Sequence, residues 1–182
     1  MKLRAQLWLP RPPKDVFPFF ACAENLQRIT PPWLDFTIAK ADPSPIQRGT
    51  VIDYKLRLHG LPLHWRSEIA AWEPPFYFRD EQRRGPYRHW AHSHWLLPHE
   101  GGTLCVDEVD YAVPGGPLVE RVFVRRDLRK IFTYRQRAVL REFCGSESDV
   151  VGSTGGPAWR VTFERGHAAP ASISTALPAA AL

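Results

Sequence analysis

The chain has 182 residues, 44% hydrophobic and 12% aromatic, with a net charge of +5. That is apolar material enough for one packed domain, and it excludes a chain disordered throughout. No apolar run approaches the roughly 18 residues of a membrane helix, and charges and prolines break up residues 1–14 unlike a signal peptide.

Leu3, Ala5, Leu7 and Leu9 alternate with Arg4, Gln6 and Trp8, which predicts a first strand ended by Pro10, Pro12 and Pro13. A short helix starts near Asp15, with Pro13 where a helix N-terminus tolerates it and Pro18 interrupting it early. A second short helix is predicted over 23–29, stopping before Pro31-Pro32, and a strand over 36–41. Strands then follow at 50–59, 63–72, 76–82, 87–97 and 103–113. They are divided by Gly60-Leu61-Pro62, Pro74-Pro75, Gly85-Pro86 and Gly101-Gly102. Without intervening helices they form one antiparallel meander, about seven strands in all with the first two.

From Leu118 to Phe143 the period changes: Val119, Val122, Phe123, Leu128, Ile131, Phe132, Val139, Leu140 and Phe143 recur at helical steps. The prediction is an α+β fold, a curved antiparallel sheet wrapped around one long C-terminal helix. Beyond Gly145 the composition falls to Gly, Ser, Ala, Pro and Thr. Residues 145–182 are therefore expected to be a largely disordered tail after a domain over 1–144, with Trp159, Val161 and Phe163 forming at most a brief extended piece.

Counting by twos, Phe78, Asp80 and Gln82 share one strand face with Phe76; Trp90, His92 and His94 share the next with Leu96; Asp107 and Tyr111 share a third with Val109. A face this aromatic should turn inward and carry Asp80, His92, His94 and Asp107 with it. Buried ionisable groups are costly unless they pair or meet a ligand. Tyr54, Leu56, Trp65 and Ser67 extend the inward face onto neighbouring strands. Cys22, Cys105 and Cys144 form neither a CxxC nor a disulfide framework, which agrees with a reducing, cytoplasmic location; Cys105 reads as a small core residue.

Several stretches resemble the START-like helix-grip (SRPBCC) superfamily, and within it the bacterial ligand-binding proteins related to polyketide cyclase/dehydratase domains. These are PPWLDF at 31–36, GLPLHWRSEI at 60–69, WEPPFYFRDEQRRGPYRHWAHSH at 72–94, DEVDYAVPGG at 107–116 and IFTYRQR at 131–137. The resemblance covers roughly residues 1–144. It implies a helix-grip fold with two short helices after the first strand and a cavity between sheet and long helix. The inward-face count would line that cavity with Tyr54, Trp65, Ser67, Phe78, Asp80, Gln82, Trp90, His92, His94, Asp107 and Tyr111. The expected partner is a small apolar or aromatic molecule that the protein carries or senses. The alternative is a cyclase/dehydratase-like enzyme using His92 or His94 with Asp80 or Asp107 for proton transfer.

A metal site is the competing reading of His92-x-His94. Gly85, His92, His94 and Glu100 approximate a first cupin motif, but the gaps are slightly long and Glu100 falls on a turn. No metal and no cofactor are expected. Arg125, Arg126, Arg129, Lys130, Arg135, Arg137 and Arg141 fill the polar positions of the long helix, so they are expected to be a solvated face and not a nucleic-acid site. Arg83, Arg84 and Arg88 flank the Gly85-Pro86 turn, either as a solvated tip or as the rim of a pocket mouth.

Overall fold

The computed structural model describes residues 1–42, 45–145 and 159–164. The first strand sets the frame: along β1 (Lys2–Leu9), Leu3, Ala5, Leu7 and Leu9 are buried and the residues between them are not. Helices α1 (Pro13–Phe20) and α2 (Asn25–Arg28) and a 3-10 turn at Pro32–Leu34 follow. Pro18 does not end α1, because it removes only the one bond its missing N–H would have made to the Lys14 carbonyl. Strands β2 (Thr37–Asp42), β3 (Val51–Leu58), β4 (Leu61–Glu73), β5 (Tyr77–Arg84), β6 (His89–His99) and β7 (Gly102–Ala112) form the meander.

All pairings are antiparallel, in the order β2-β3-β4-β5-β6-β7-β1-β8. The eighth strand, β8 (Trp159–Glu164), pairs with β1 from Lys2↔Glu164 to Leu7↔Trp159. The sheet therefore has one strand more than expected, contributed from beyond residue 144. The helix holds β8 through its cations: Arg125 and Arg129 sit over Phe163 at 5.4 and 5.3 Å from the ring centre, and Arg137 over Trp159 at 5.5 Å. Those three arginines thus have aromatic partners, which corrects the expectation of a purely solvated face. Apart from Gly145 and β8, the tail expected at 145–182 lies outside the described residues.

Register shifts in the β4–β5 pairing, at Arg66/Ser67 and Ile69/Ala71, bend the sheet where it must curve. The long helix runs without a break from α3 (Gly116–Val119) through one π-helical turn (Glu120–Val124) into α4 (Arg125–Cys144). Leu128, Phe132, Ala138, Val139 and Leu140 turn its apolar stripe onto the sheet. Two hydrophobic clusters result. One gathers Leu7, Leu9, α1, Ile69, Leu96, Cys105 and Val139; the other gathers Leu3, Ala5, Val109, Tyr111, Leu128 and Phe132. Along β6 and β7 the residues between them are His92, His94 and Asp107. Burial pushes the Cys105 thiol up, so it remains an inert core group.

Candidate functional site

Strand register brings four ionisable side chains together. His92 lies opposite Asp80 on β5, and His94 opposite both Phe78 on β5 and Asp107 on β7. Cross-strand neighbours and their diagonals are within reach of one another, and the hydrogen bonds run along the diagonals. His94 Nε2 is 2.9 Å from Asp80 Oδ2, and His92 Nε2 is 3.0 Å from Asp107 Oδ1. The direct pairs are His94 Nδ1 to Asp107 Oδ1 at 2.9 Å and His92 Nδ1 to Asp80 Oδ2 at 3.7 Å. The 2.9 Å approach is a close charge pair whose direction misses a hydrogen bond, so His94 Nδ1 is buried without one.

Each carboxylate has further partners. Gln136 donates to Asp107 Oδ2 at 3.2 Å, and Arg135 Nε approaches the same oxygen to 3.7 Å. Ser67 donates to Asp80 Oδ1 at 3.4 Å while accepting from Trp65 Nε1 at 3.1 Å, and Tyr54 OH lies 3.4 Å from Ser67 Oγ.

The two histidines are driven apart in charge. For His92, burial and the neighbouring His94 cation hold the pKa below the usual imidazole range, against the pull of Asp107 and Asp80. Burial works against the proton on His94 too, but the carboxylates of Asp107 and Asp80 outweigh it and hold that pKa up. Burial likewise opposes ionisation of Asp107, where Arg135 and both histidines prevail and hold the carboxyl well below its ordinary value. At Asp80 it is His94 and His92 that prevail. The directions favour the proton on His94 over His92, and with that assignment two carboxylates face one imidazolium and one guanidinium. Neutral His92 donates from Nε2 to Asp107, which leaves Nδ1 as an acceptor without a hydrogen bond among the described residues.

A cavity of about 210 Å³ opens beside this network, between the sheet and α4. It lies below the roughly 300–1,000 Å³ of drug-sized pockets, which limits it to a small ligand. Tyr54, Leu56, Trp65, Ser67, Phe78, Asp80, Trp90, His92 and His94 line it, all of them on the predicted inward face. Its walls are aromatic: Tyr54 stacks on Trp65 with ring centres 5.8 Å apart, and Trp65 meets Trp90 edge-on at 5.2 Å. A second hollow of about 430 Å³, at Trp33, His59 and Lys130, shares Leu34, Leu58 and Ile131 with its lining. The His59–Asp127 pair, 2.8 Å apart, ties the β3–β4 turn to α4 there.

Three residues expected on the cavity wall lie elsewhere. Gln82 shares the face but sits at the end of β5, where its amide donates to Tyr87 O at 2.8 Å and accepts from Tyr87 N at 3.3 Å, clasping the β5–β6 turn. Asp107 is off the wall, held between His92 and His94 on one side and Gln136 and Arg135 on the other. Tyr111 points into the second core cluster, where its hydroxyl donates to the buried Glu120 carboxylate at 2.7 Å. Arg83 is no pocket rim either, being paired with Glu68 at 2.9 Å.

Conversely, Tyr87, Phe132 and Arg135 line the cavity without having been expected there. Arg135 was assigned to the solvated helix face, yet its side chain is only 11% exposed. Its spacing carried the signal: it lies three residues after Phe132 and seven after Leu128, on the apolar stripe itself.

Asp80, His92 and His94 also present donor atoms within 4.8 Å of one another, a set that could hold a metal ion. Against that use, both nitrogens of His94 already face carboxylate oxygens at 2.9 Å, an arrangement completed by a proton.

Residues 9–138 match the model of a family described as polyketide cyclase/dehydrase and lipid transport, and the chain belongs to that family. It shares the fold of protein CV1439 from Chromobacterium violaceum, with a TM-score of 0.63, 12% identity, and 79% of this chain and 97% of that one covered. It is similar also to the di-domain ARO/CYC protein StfQ of the steffimycin biosynthetic pathway, with a TM-score of 0.64, 13% identity, and coverage of 82% and 52%. A Thalictrum norcoclaurine synthase point mutant in complex with a transition-state analogue gives a TM-score of 0.58 at 12% identity, with 78% and 95% covered. No match to the chain occurs among curated proteins. No helix among the described residues is long and apolar enough to cross a membrane.

Proposed function

We propose that the protein binds a small, largely apolar ligand in the cavity between sheet and α4, as a carrier or sensor. The observation that carries this reading is the cavity itself: aromatic walls of Tyr54, Trp65 and Trp90 around a few convergent polar groups, the usual composition of a small-molecule site. Membership of a family that includes lipid transport agrees with it. Native mass spectrometry of protein purified from its own host, compared with the denatured mass, tests it. A retained organic ligand is expected, and Ser67→Phe, which fills the cavity floor, should abolish retention while costing about 1–3 kcal/mol of stability. A ligand-free wild-type protein would count against a permanent carrier.

A second reading, a cyclase/dehydratase-like proton transfer on a polyketide-like or aromatic substrate, is favoured by one observation. The cavity wall holds neutral His92, with Nδ1 unengaged, against protonated His94. His92 would take the substrate proton at Nδ1, and His94, held between Asp80 and Asp107, would keep the charge around it balanced without itself reaching the substrate. A bell-shaped pH–rate profile, with its acidic limb lost in His92→Gln, would establish this reading over simple binding.

A further inference from the structure

Among the described residues Arg135 is the one guanidinium in the cavity wall, and its surroundings leave it incomplete. Its Nε is buried without a hydrogen-bond partner. Among the described residues its only ion-pair contact is Asp107 Oδ2 at 3.7 Å, an oxygen that Gln136 already occupies at 3.2 Å. Its guanidinium carbon lies over the Phe20 ring, 6.0 Å from the centre, a contact that satisfies none of its N–H donors. Ten residues earlier on the same helix, Arg125 shows what a completed guanidinium looks like here, with Nε and Nη2 each 3.1 Å from one oxygen of Glu120. A mostly buried cation with an unused donor is costly unless something supplies an acceptor. The two carboxylates nearby balance its charge without accepting a hydrogen bond from it: Asp107 accepts from His92 and Gln136, and Asp80 from His94 and Ser67.

We propose that the ligand of this cavity carries a planar oxyanion, a carboxylate or a vinylogous acid, which docks on the fork of Arg135 while its apolar body lies against Trp65, Trp90 and Tyr54. This rests on the small-ligand reading above and adds the ligand's charge. A carboxylate matches the guanidinium fork with two parallel N–H···O bonds, a geometry that a hydroxyl or an amide cannot reproduce with the same charge. The neutral sum of Asp80, Asp107, His94 and Arg135 lets one further anion enter without meeting net negative charge.

The test uses two bicyclic probes of the same shape, 2-naphthoate and 2-naphthamide. Binding to the full-length protein is followed by quenching of Trp65 and Trp90 fluorescence and by calorimetry at neutral pH. The acid should bind about tenfold or more tighter than the amide, the worth of a charge-assisted bond over a neutral one. Arg135→Gln should bring the two affinities within about twofold by weakening the acid alone, and Arg135→Lys should restore only part of the difference. Equal affinities in the wild-type protein would overturn the oxyanion assignment while leaving cavity binding intact, and that comparison needs no variant to fold. Equal weakening of both probes by Arg135→Gln would also overturn it, marking Arg135 as a wall of the cavity and nothing more. Binding of neither probe would overturn both this assignment and the small-ligand reading beneath it.

Discussion

Two buried ionic clusters in this molecule look alike by burial and differ in what they leave undone. In one, Glu120 is almost wholly buried, accepts from Tyr111 and holds Arg125 through both its oxygens, so every polar atom named has a partner. It lines neither hollow described above, and it sits in the π-helical turn, where it pins the start of the long helix to β7. In the other, Asp80, His92, His94 and Asp107 interlock, yet His94 Nδ1, Arg135 Nε and Gln136 Oε1 are buried without hydrogen bonds, and the cluster adjoins a cavity. Burial of charge alone does not mark a functional site. Unused hydrogen-bonding capacity beside an open volume does.

If that distinction holds, the clusters respond differently to substitution. Glu120→Gln should produce the largest loss of stability, about 3 kcal/mol as expected for breaking a buried pair, with the urea midpoint lowered, the slope unchanged and ligand retention untouched. Asp107→Asn should cost less, about 2 kcal/mol for hydrogen bonds to a charged group, but should reduce ligand retention, because both histidines lose the negative charge that holds them and one acceptor oxygen becomes a donor. A Glu120 variant that lost the ligand while still folded would break the comparison.

The pH dependence sharpens it. His94 is held above the ordinary imidazole value, so its contribution is complete below about pH 6.5 and is lost as pH rises through its folded pKa. His92 is held below that value, so it costs stability as pH falls beneath about 6.5 towards its folded pKa. Asp80 and Asp107 contribute above the unfolded carboxyl value of about 3.9 and lose that contribution as pH falls through their lowered values. Together the histidines should place a shallow maximum of stability near pH 6.5. Imidazole NMR should show one proton retained above that pH and the other gained only below it. Two ordinary titrations would mean that the network does not form. The smallest effect is expected at the exposed Arg66–Asp53 pair, 2.7 Å apart. There Arg66→Ala should leave the urea midpoint almost where it was, because solvent screens the pair, and leave both clusters unchanged.

Much of this was legible in the residues. The period-two count put Asp80, His92 and His94 on one inward face, and strand register then made them neighbours. Gln82 misled because a residue can keep the right parity and still be claimed by a turn at the strand's end. Tyr111 misled because the inward face passes beyond the cavity into a second apolar cluster. Arg135 was hidden by its chemistry, a cation assigned to solvent although its helical spacing placed it with Phe132 and Leu128. β8 was hidden by context, six residues of strand pattern set in a Gly- and Ser-rich stretch. Neither the π-helical turn nor the Glu120 pair left a local signal, since both depend on packing against β7.

The most direct test is to record the ring resonances of His92 and His94, the indole N–H signals of Trp65 and Trp90, and the Arg125 Nε–H signal in ligand-bearing protein and again after stripping. The account predicts that the histidine and tryptophan signals shift together while Arg125 stays still. Shifts confined to Arg125, or a ligand that leaves without moving His92 or His94, would contradict it.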